Sequence, residues 1–158
     1  DITIRLRDLY IPHAKISVLT NGTMLHKKEI FDTIKKVDNN IIKIDGGTYE
    51  TIKAINQPNV NFDLEKYIKL LQNFNGELII QTCFLRGKHN GIKIDNTTEN
   101  EVTLWIEHIK NINPKKIMIY AIDRETPEKE LEKISQQELE KISEPLRRLG
   151  FNVECFGK

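Results

Sequence analysis

The sequence predicts an α/β fold built on a parallel sheet, on three observations. Five short apolar runs alternate with amphipathic stretches of helical period. Glycines follow two of those stretches directly, as helix-ending glycines do. Polar residues collect at the carboxyl ends of the apolar runs. Two architectures share this pattern, a stretch of a (β/α) barrel and a small doubly wound sheet, and both bind ligands at that edge.

Residues Ile2 to Tyr10 read as the middle of an element, with Ile4, Leu6 and Leu9 among charged neighbours, so an internal fragment of a longer protein is expected. Strands are predicted over Lys15 to Leu19, Asn40 to Ile44, Glu77 to Phe84, Lys116 to Ile122 and Phe151 to Phe156. Helices are predicted over Lys27 to Val37, Asp63 to Phe74, Thr98 to Ile112 and Ser135 to Leu149. The second carries Leu64, Tyr67, Ile68 and Leu71 on one face, and the third Val102, Trp105, Ile106 and Ile109. The fourth carries Leu139, Ile142, Leu146 and Leu149 and opens with Ser135 and Glu138 spaced as a capping box. Gly76 and Gly150 end helices, and Asn113-Pro114 breaks the chain before the fourth strand. The charge run Glu125 to Lys133 reads as a solvated approach to the last helix.

At 158 residues the chain can bury a core of its own. Its apolar share of 39%, charged share of 30% and net charge of +1 are those of an ordinary soluble domain and steer it toward neither nucleic acid nor membrane. No apolar run is long enough to span a bilayer. The two cysteines, Cys83 and Cys155, are far apart and lack metal-ligand spacing, which fits a reducing cytoplasm.

The richest stretch is Lys43-Ile44-Asp45-Gly46-Gly47. Strand alternation puts Ile42 and Ile44 on one face and Lys43 and Asp45 on the other, which suits a strand whose mouth opens into a site. Asp45 could accept hydrogen bonds from a ribose or an amine, or it could pair with Lys43 or bind the glycine turn. Gln81, a polar group within an apolar strand, needs partners among neighbouring side chains or on a ligand. Thr82 faces the other way, toward helices. Thr20-Asn21-Gly22-Thr23 could hold a carboxylate or a ribose hydroxyl, though four such residues also make a plain turn and helix cap. Arg86, Lys88 and His89 form a basic loop with hinges at Gly87 and Gly91 that could meet a phosphate or simply face solvent. Tyr120, Asp123 and Arg124 close the fourth strand, where Arg124 could fix an anion or pair with Asp123. No serine–histidine–acid set, nucleophile elbow or phosphate loop is present.

In order along the chain, Leu19-Thr20-Asn21-Gly22-Thr23, Lys43 to Gly47 with Ile55-Asn56-Gln57-Pro58, Gln81 to Gly87, Trp105 and Ile119 to Pro127 together resemble the carboxyl-terminal two-thirds of a radical S-adenosylmethionine (SAM) domain. Within that superfamily the set is most similar to iron–sulfur oxidoreductases related to wyosine synthetase. The resemblance implies a partial (β/α) barrel of the radical SAM type, its parallel strands covered by helices on the outer face. It implies SAM across the strand ends beside a [4Fe-4S] cluster, where reductive cleavage yields a 5′-deoxyadenosyl radical. By position it implies Thr20 and Asn21 near the methionine moiety, Lys43 and Asp45 against SAM on the next strand, Gln81 on the one after, and Tyr120 and Ile122 near the adenine or substrate. Gly46 stands where these relatives often have alanine. The three-cysteine cluster loop and the glycine-glycine-glutamate strand, which precede this region in the family, are absent. The chain by itself is therefore expected to be inactive, the carboxyl-terminal part of a parent enzyme. An RNA substrate such as tRNA is a further expectation for the parent, and dimerisation through an exposed strand edge one for this chain. The alternative is a complete, non-enzymatic α/β module that binds a nucleotide or a protein, with helices on both faces of its sheet.

Overall fold

The computed structural model describes residues 2–58, 61–89, 91–123 and 129–157. Five parallel strands form the main sheet: β1 (Ser17–Thr20), β2 (Asn39–Lys43), β3 (Ile79–His89), β5 (Lys116–Ala121) and β7 (Val153–Phe156). They lie in the order β1-β2-β3-β5-β7. That order never reverses. A doubly wound sheet must reverse its winding to place helices on both faces, whereas successive right-handed crossovers laid in one direction leave all helices on one.

The packing agrees. Helices α2 (Lys28–Ile34), α4 (Leu64–Gln72), α5 (Glu99–Ile112) and α6 (Gln136–Arg148) bury their apolar faces in one core. The strands contribute Ile42, Ile80 and Phe84, Ile117 and Ile119, and Val153 to that core, alternate residues that share a face by register, and Ile44 joins them just past β2. The architecture is thus a partial (β/α) barrel wall, and the doubly wound alternative does not hold. Asp63, Thr98 and Ser135 accept the N–H three residues on as N-caps, and Glu138 completes the capping box. The chain leaves α6 through Gly150 at φ +89°, a left-handed turn that glycine takes at no steric cost.

Two elements depart from expectation. The segment Arg86, Lys88 and His89 is not a loop: β3 continues through it, antiparallel to β4 (Ile92–Asp95) and to β6 (Leu131–Lys133). Its cations are paired within the chain, Arg86 with Glu138 and Glu132 and Lys88 with Glu130. Gly87, at φ +131°, lies where the Glu130 carbonyl passes so closely that no Cβ would fit. The charge run before α6 likewise contains β6, and its residues 125–128 lie outside the described ones, as does the side chain of His89. Second, a helix, α3 (Tyr49–Asn56), follows the double glycine, capped by Thr48. A second, smaller core forms there: Cys83, Leu85 and Ile94, with Ala54, Ile55, Tyr120, Ile122 and Leu131 against them. The amino-terminal helix α1 (Ile2–Tyr10) buries no residue and is held by Arg7, which donates to Ala14 O at 3.0 Å and to Asp38 at 2.9 Å.

Candidate functional site

The sheet face opposite the helices carries Leu19, Ile41 and Lys43, Gln81, Met118 and Tyr120, and Phe156, in neighbouring registers. Leu19 is 59% and Phe156 48% exposed, so much of this face is uncovered. Its polar centre lies at the carboxyl ends of β2 and β5 and in the first half of β3. Asp45 is fully buried, with Lys43 Nζ 2.9 Å from its Oδ2. Asp45 Oδ1 accepts the Cys83 N–H at 2.9 Å. Among the described residues, Asp45 Oδ2 has the Lys43 ammonium and no second donor. Gln81, opposite Lys43 in register, has a buried Oε1 with no donor among the described residues. An unsatisfied buried acceptor beside an ion pair is costly unless something brings it a donor. Toward β7 the face deepens into a cavity of about 510 Å³ lined by Gln81, Met118, Tyr120 and Phe156, with Asp123 and Lys133 3.4 Å apart at its edge.

Burial pushes the Cys83 thiol up to about 11, the Asp45 charge adding to it, and it pushes the Tyr120 phenol up to about 12. At neutral pH both are protonated. Burial alone would lower Lys43, but the Asp45 carboxylate outweighs it, with smaller help from Tyr120 and Cys83, and the ammonium is held above its ordinary value. All three groups bind their protons more tightly folded than unfolded. Their stabilisation is therefore complete below the unfolded values and lost as pH rises through the folded ones. The melting temperature should hold up to about pH 9 and fall between 9 and 12, from the ordinary thiol value of 9.0 to the raised phenol. Thermal melts of Cys83→Ala should show a shallower fall between pH 9 and 11, what remains there coming from the Cys155 thiol, which burial also raises from 9.0, and from the Tyr120 phenol. An identical alkaline profile for the variant would refute this account of Cys83.

Of the residues singled out in the sequence, Lys43, Asp45, Gln81 and Tyr120 are brought together. Ile122 packs into the small core beside them. Thr20 pairs with Ile42 on the helix-covered face, and its Oγ1 accepts the Gly22 N–H at 3.1 Å. Asn21 shares a small crevice with Lys43, but its Oδ1 accepts from Thr23 N and Oγ1 at 3.2 and 2.9 Å. Thr82 does face the helices, taking the Trp105 indole N–H at 3.0 Å. Arg124 lies outside the described residues.

Three supporting residues were not singled out. Tyr67 Oη lies 3.1 Å from the Asn21 carbonyl and 3.0 Å from that of Lys43, joining the ends of β1 and β2. Its ring fills the space a Cβ on Gly22 would need. Glu101 is buried and accepts from Gly47 N at 2.7 Å, Thr48 Oγ1 at 2.6 Å and Thr51 Oγ1 at 2.9 Å, which fixes the turn after Asp45. In sequence Thr98 and Glu101 have capping-box spacing, a signal that points to the wrong partner. Asn96 bridges the Asp45 and Cys83 carbonyls.

The fold's likeness is to radical SAM enzymes. A radical SAM methyltransferase from Sphaerobacter thermophilus superposes with a TM-score of 0.69 at 11% identity, over 89% of this chain and 40% of that one. A domain of the pyruvate-formate lyase-activating enzyme from Bacteroides vulgatus superposes with 0.65 at 15% identity, over 90% of this chain and 82% of that one. At such identities the likeness is one of fold. Among curated proteins, the UPF0026 protein slr1464 of Synechocystis is 30% identical over 120 residues, 73% of this chain and 42% of its own. A GTPase Obg of Brachyspira hyodysenteriae is 26% identical over 130 residues, 80% of this chain and 18% of its own. The chain spans less than half the length of either curated relative. No protein-family model matches it. Among the described residues, no helix is long and apolar enough to cross a membrane.

Proposed function

We propose that this chain is the cofactor-facing wall of a radical SAM oxidoreductase, with SAM lying across the open face at Lys43, Asp45, Gln81 and Tyr120. The observation that carries this reading is the buried Gln81 Oε1, which has no donor among the described residues, beside the Lys43–Asp45 ion pair on an uncovered barrel face. The donor set fits the nucleoside: a hydroxyl or amino group of a ligand satisfies Gln81 Oε1, a second can add to the Lys43 contact on Asp45 Oδ2, and Lys43 faces its anionic group. Tyr120, a neutral phenol, gives the ligand an aromatic wall without competing for its charge. Asn21 stands at the rim, and Thr20 and Ile122 shape the turn and the roof around it. SAM bound at a reduced [4Fe-4S] cluster supplies hydrogen-abstracting radical chemistry. The cluster itself does not fit here. Cys83 and Cys155 are the chain's two cysteines, and by strand register they lie on opposite sheet faces. A four-iron cluster takes more cysteine ligands than that. Residues elsewhere in the protein would have to hold it, and no step through it is assigned to this chain. The two sheet edges, β1 and β7, are the surfaces through which we propose copies of this chain associate.

Expressed anaerobically, the complete gene product should contain iron, absorb as a [4Fe-4S] protein and cleave SAM. Gln81→Ala in that protein should weaken SAM binding roughly tenfold, the worth of one buried hydrogen bond, with the absorption spectrum unchanged. A complete product without cluster or SAM cleavage would overturn the reading.

A further inference from the structure

Strand β3 changes partners midway along one edge, and a single side chain makes the exchange. Up to Gln81 the ladder with β2 is regular, Lys43 opposite Gln81 and the Ile44 N–H donating to Gln81 O at 3.0 Å. The next bond of a parallel ladder would run from the Cys83 N–H to the Ile44 carbonyl. It is replaced. The Cys83 N–H goes to Asp45 Oδ1, and the Ile44 carbonyl takes the Thr82 hydroxyl at 2.7 Å. Beyond this point Asn96, 1% exposed, fills the gap between the parting strands. Its Nδ2 donates to the Asp45 carbonyl at 3.0 Å and to the Cys83 carbonyl at 2.7 Å, and its Oδ1 accepts the Leu85 N–H at 2.8 Å. Two carbonyls on one side and an N–H on the other admit only this orientation of the amide. Its own N–H then donates to the Leu85 carbonyl at 3.3 Å, where the antiparallel pairing of β3 with β4 begins.

We infer that Asn96 is a positioning residue for the Lys43–Asp45 pair: by gripping the Asp45 carbonyl it aims the carboxylate at Lys43 and Cys83, and it ties that aim to the docking of the β3–β4 hairpin. This rests on the proposed function only in treating the pair as part of a binding site. Other groups that hold the chain near Asp45 do not substitute. Glu101 holds the turn two residues later, at Gly47, and Thr82 holds the residue before, at Ile44. Among the described residues, Asn96 alone bonds the Asp45 backbone and the edge of β3 together.

The test uses the chain without ligand, so it stands whether or not the complete protein cleaves SAM. In Asn96→Ala, amide exchange at Cys83 should quicken roughly tenfold to a hundredfold while Ile80, Ile117 and Ile119 stay protected. The NMR titration of the Lys43 ammonium should move down toward its ordinary value, a readout that simple loosening of the hairpin's apolar contacts would not shift. Wild-type Cys83 exchange and an unmoved Lys43 titration in the variant would overturn the inference, as would changes shared by the whole sheet. Should Asn96→Ala fail to fold, native-state exchange of the unaltered chain under rising denaturant decides. Cys83 should open together with Leu85 and Ile94, before Ile80. If Cys83 opens with Ile80 instead, Asn96 does not govern the pair.

Discussion

Asp45→Ala should cost the chain about 3–5 kcal/mol of unfolding free energy, read from urea or thermal transitions. The substitution strips the half-buried Lys43 of its counter-charge and leaves the buried Cys83 N–H without its acceptor. The first loss is moderated because the Lys43 side chain is 25% exposed and can turn its ammonium toward water. The second is not, since Cys83 lies in the sheet interior at 7% exposure. Lys43→Met added to Asp45→Ala should restore part of the loss, because it removes the orphaned charge while keeping the apolar stem. Asp45→Ala within 1 kcal/mol of the wild type would mean that the pair is maintained for something other than stability and that Cys83 finds another acceptor.

Trp105→Ala should cost about 3–5 kcal/mol, the usual range for emptying a large aromatic site in a packed core. Trp105 is 1% exposed and meets Phe84 edge to face at 5.2 Å between centroids. Its indole N–H is also the donor that satisfies Thr82 Oγ1 while that hydroxyl donates to the Ile44 carbonyl. Removing it therefore opens a cavity and loosens the relay that replaces the missing ladder bond at Ile44. Trp105→Phe refills most of the volume but not the donor, and should cost about 1–3 kcal/mol. Equal losses for the two variants would show that packing, not the hydrogen bond, dominates at this position.

The fold was legible where one kind of periodicity ruled a segment. The helices bearing Tyr67, Trp105 and Leu139 announce themselves by apolar spacing and caps, and their observed ends fall within three residues of the predicted ones. The strand pattern around Lys43 and Gln81 located the polar centre because a charge or amide inside an apolar run is conspicuous. What stayed hidden depends on contacts between distant segments. Arg86-Gly87-Lys88 has a loop's composition, yet it is held as strand by β4 and β6, and its charges are answered by Glu138 and Glu130 far along the chain. Glu101 and Asn96 look like helix-start and loop residues. Their roles come from the turn at Gly47 and the carbonyl of Asp45, more than 50 residues away. Helix α3 was missed although Thr48 and Gln57-Pro58 bracket it with start and stop signals, because the double glycine drew the whole segment into a turn.

The uncovered sheet face has a colloidal consequence. Leu19 at one edge strand and Phe156 at the other are the exposed ends of an apolar band on the concave side of the wall, which Lys43, Gln81 and the Lys116–Glu154 pair interrupt. A net charge of +1 gives the chain almost no long-range repulsion with which to keep such bands apart. Near neutral pH the chain in isolation is thus a sticky particle with little electrostatic cushion. Its shelf life in concentrated solution will be governed by whatever lies over that band.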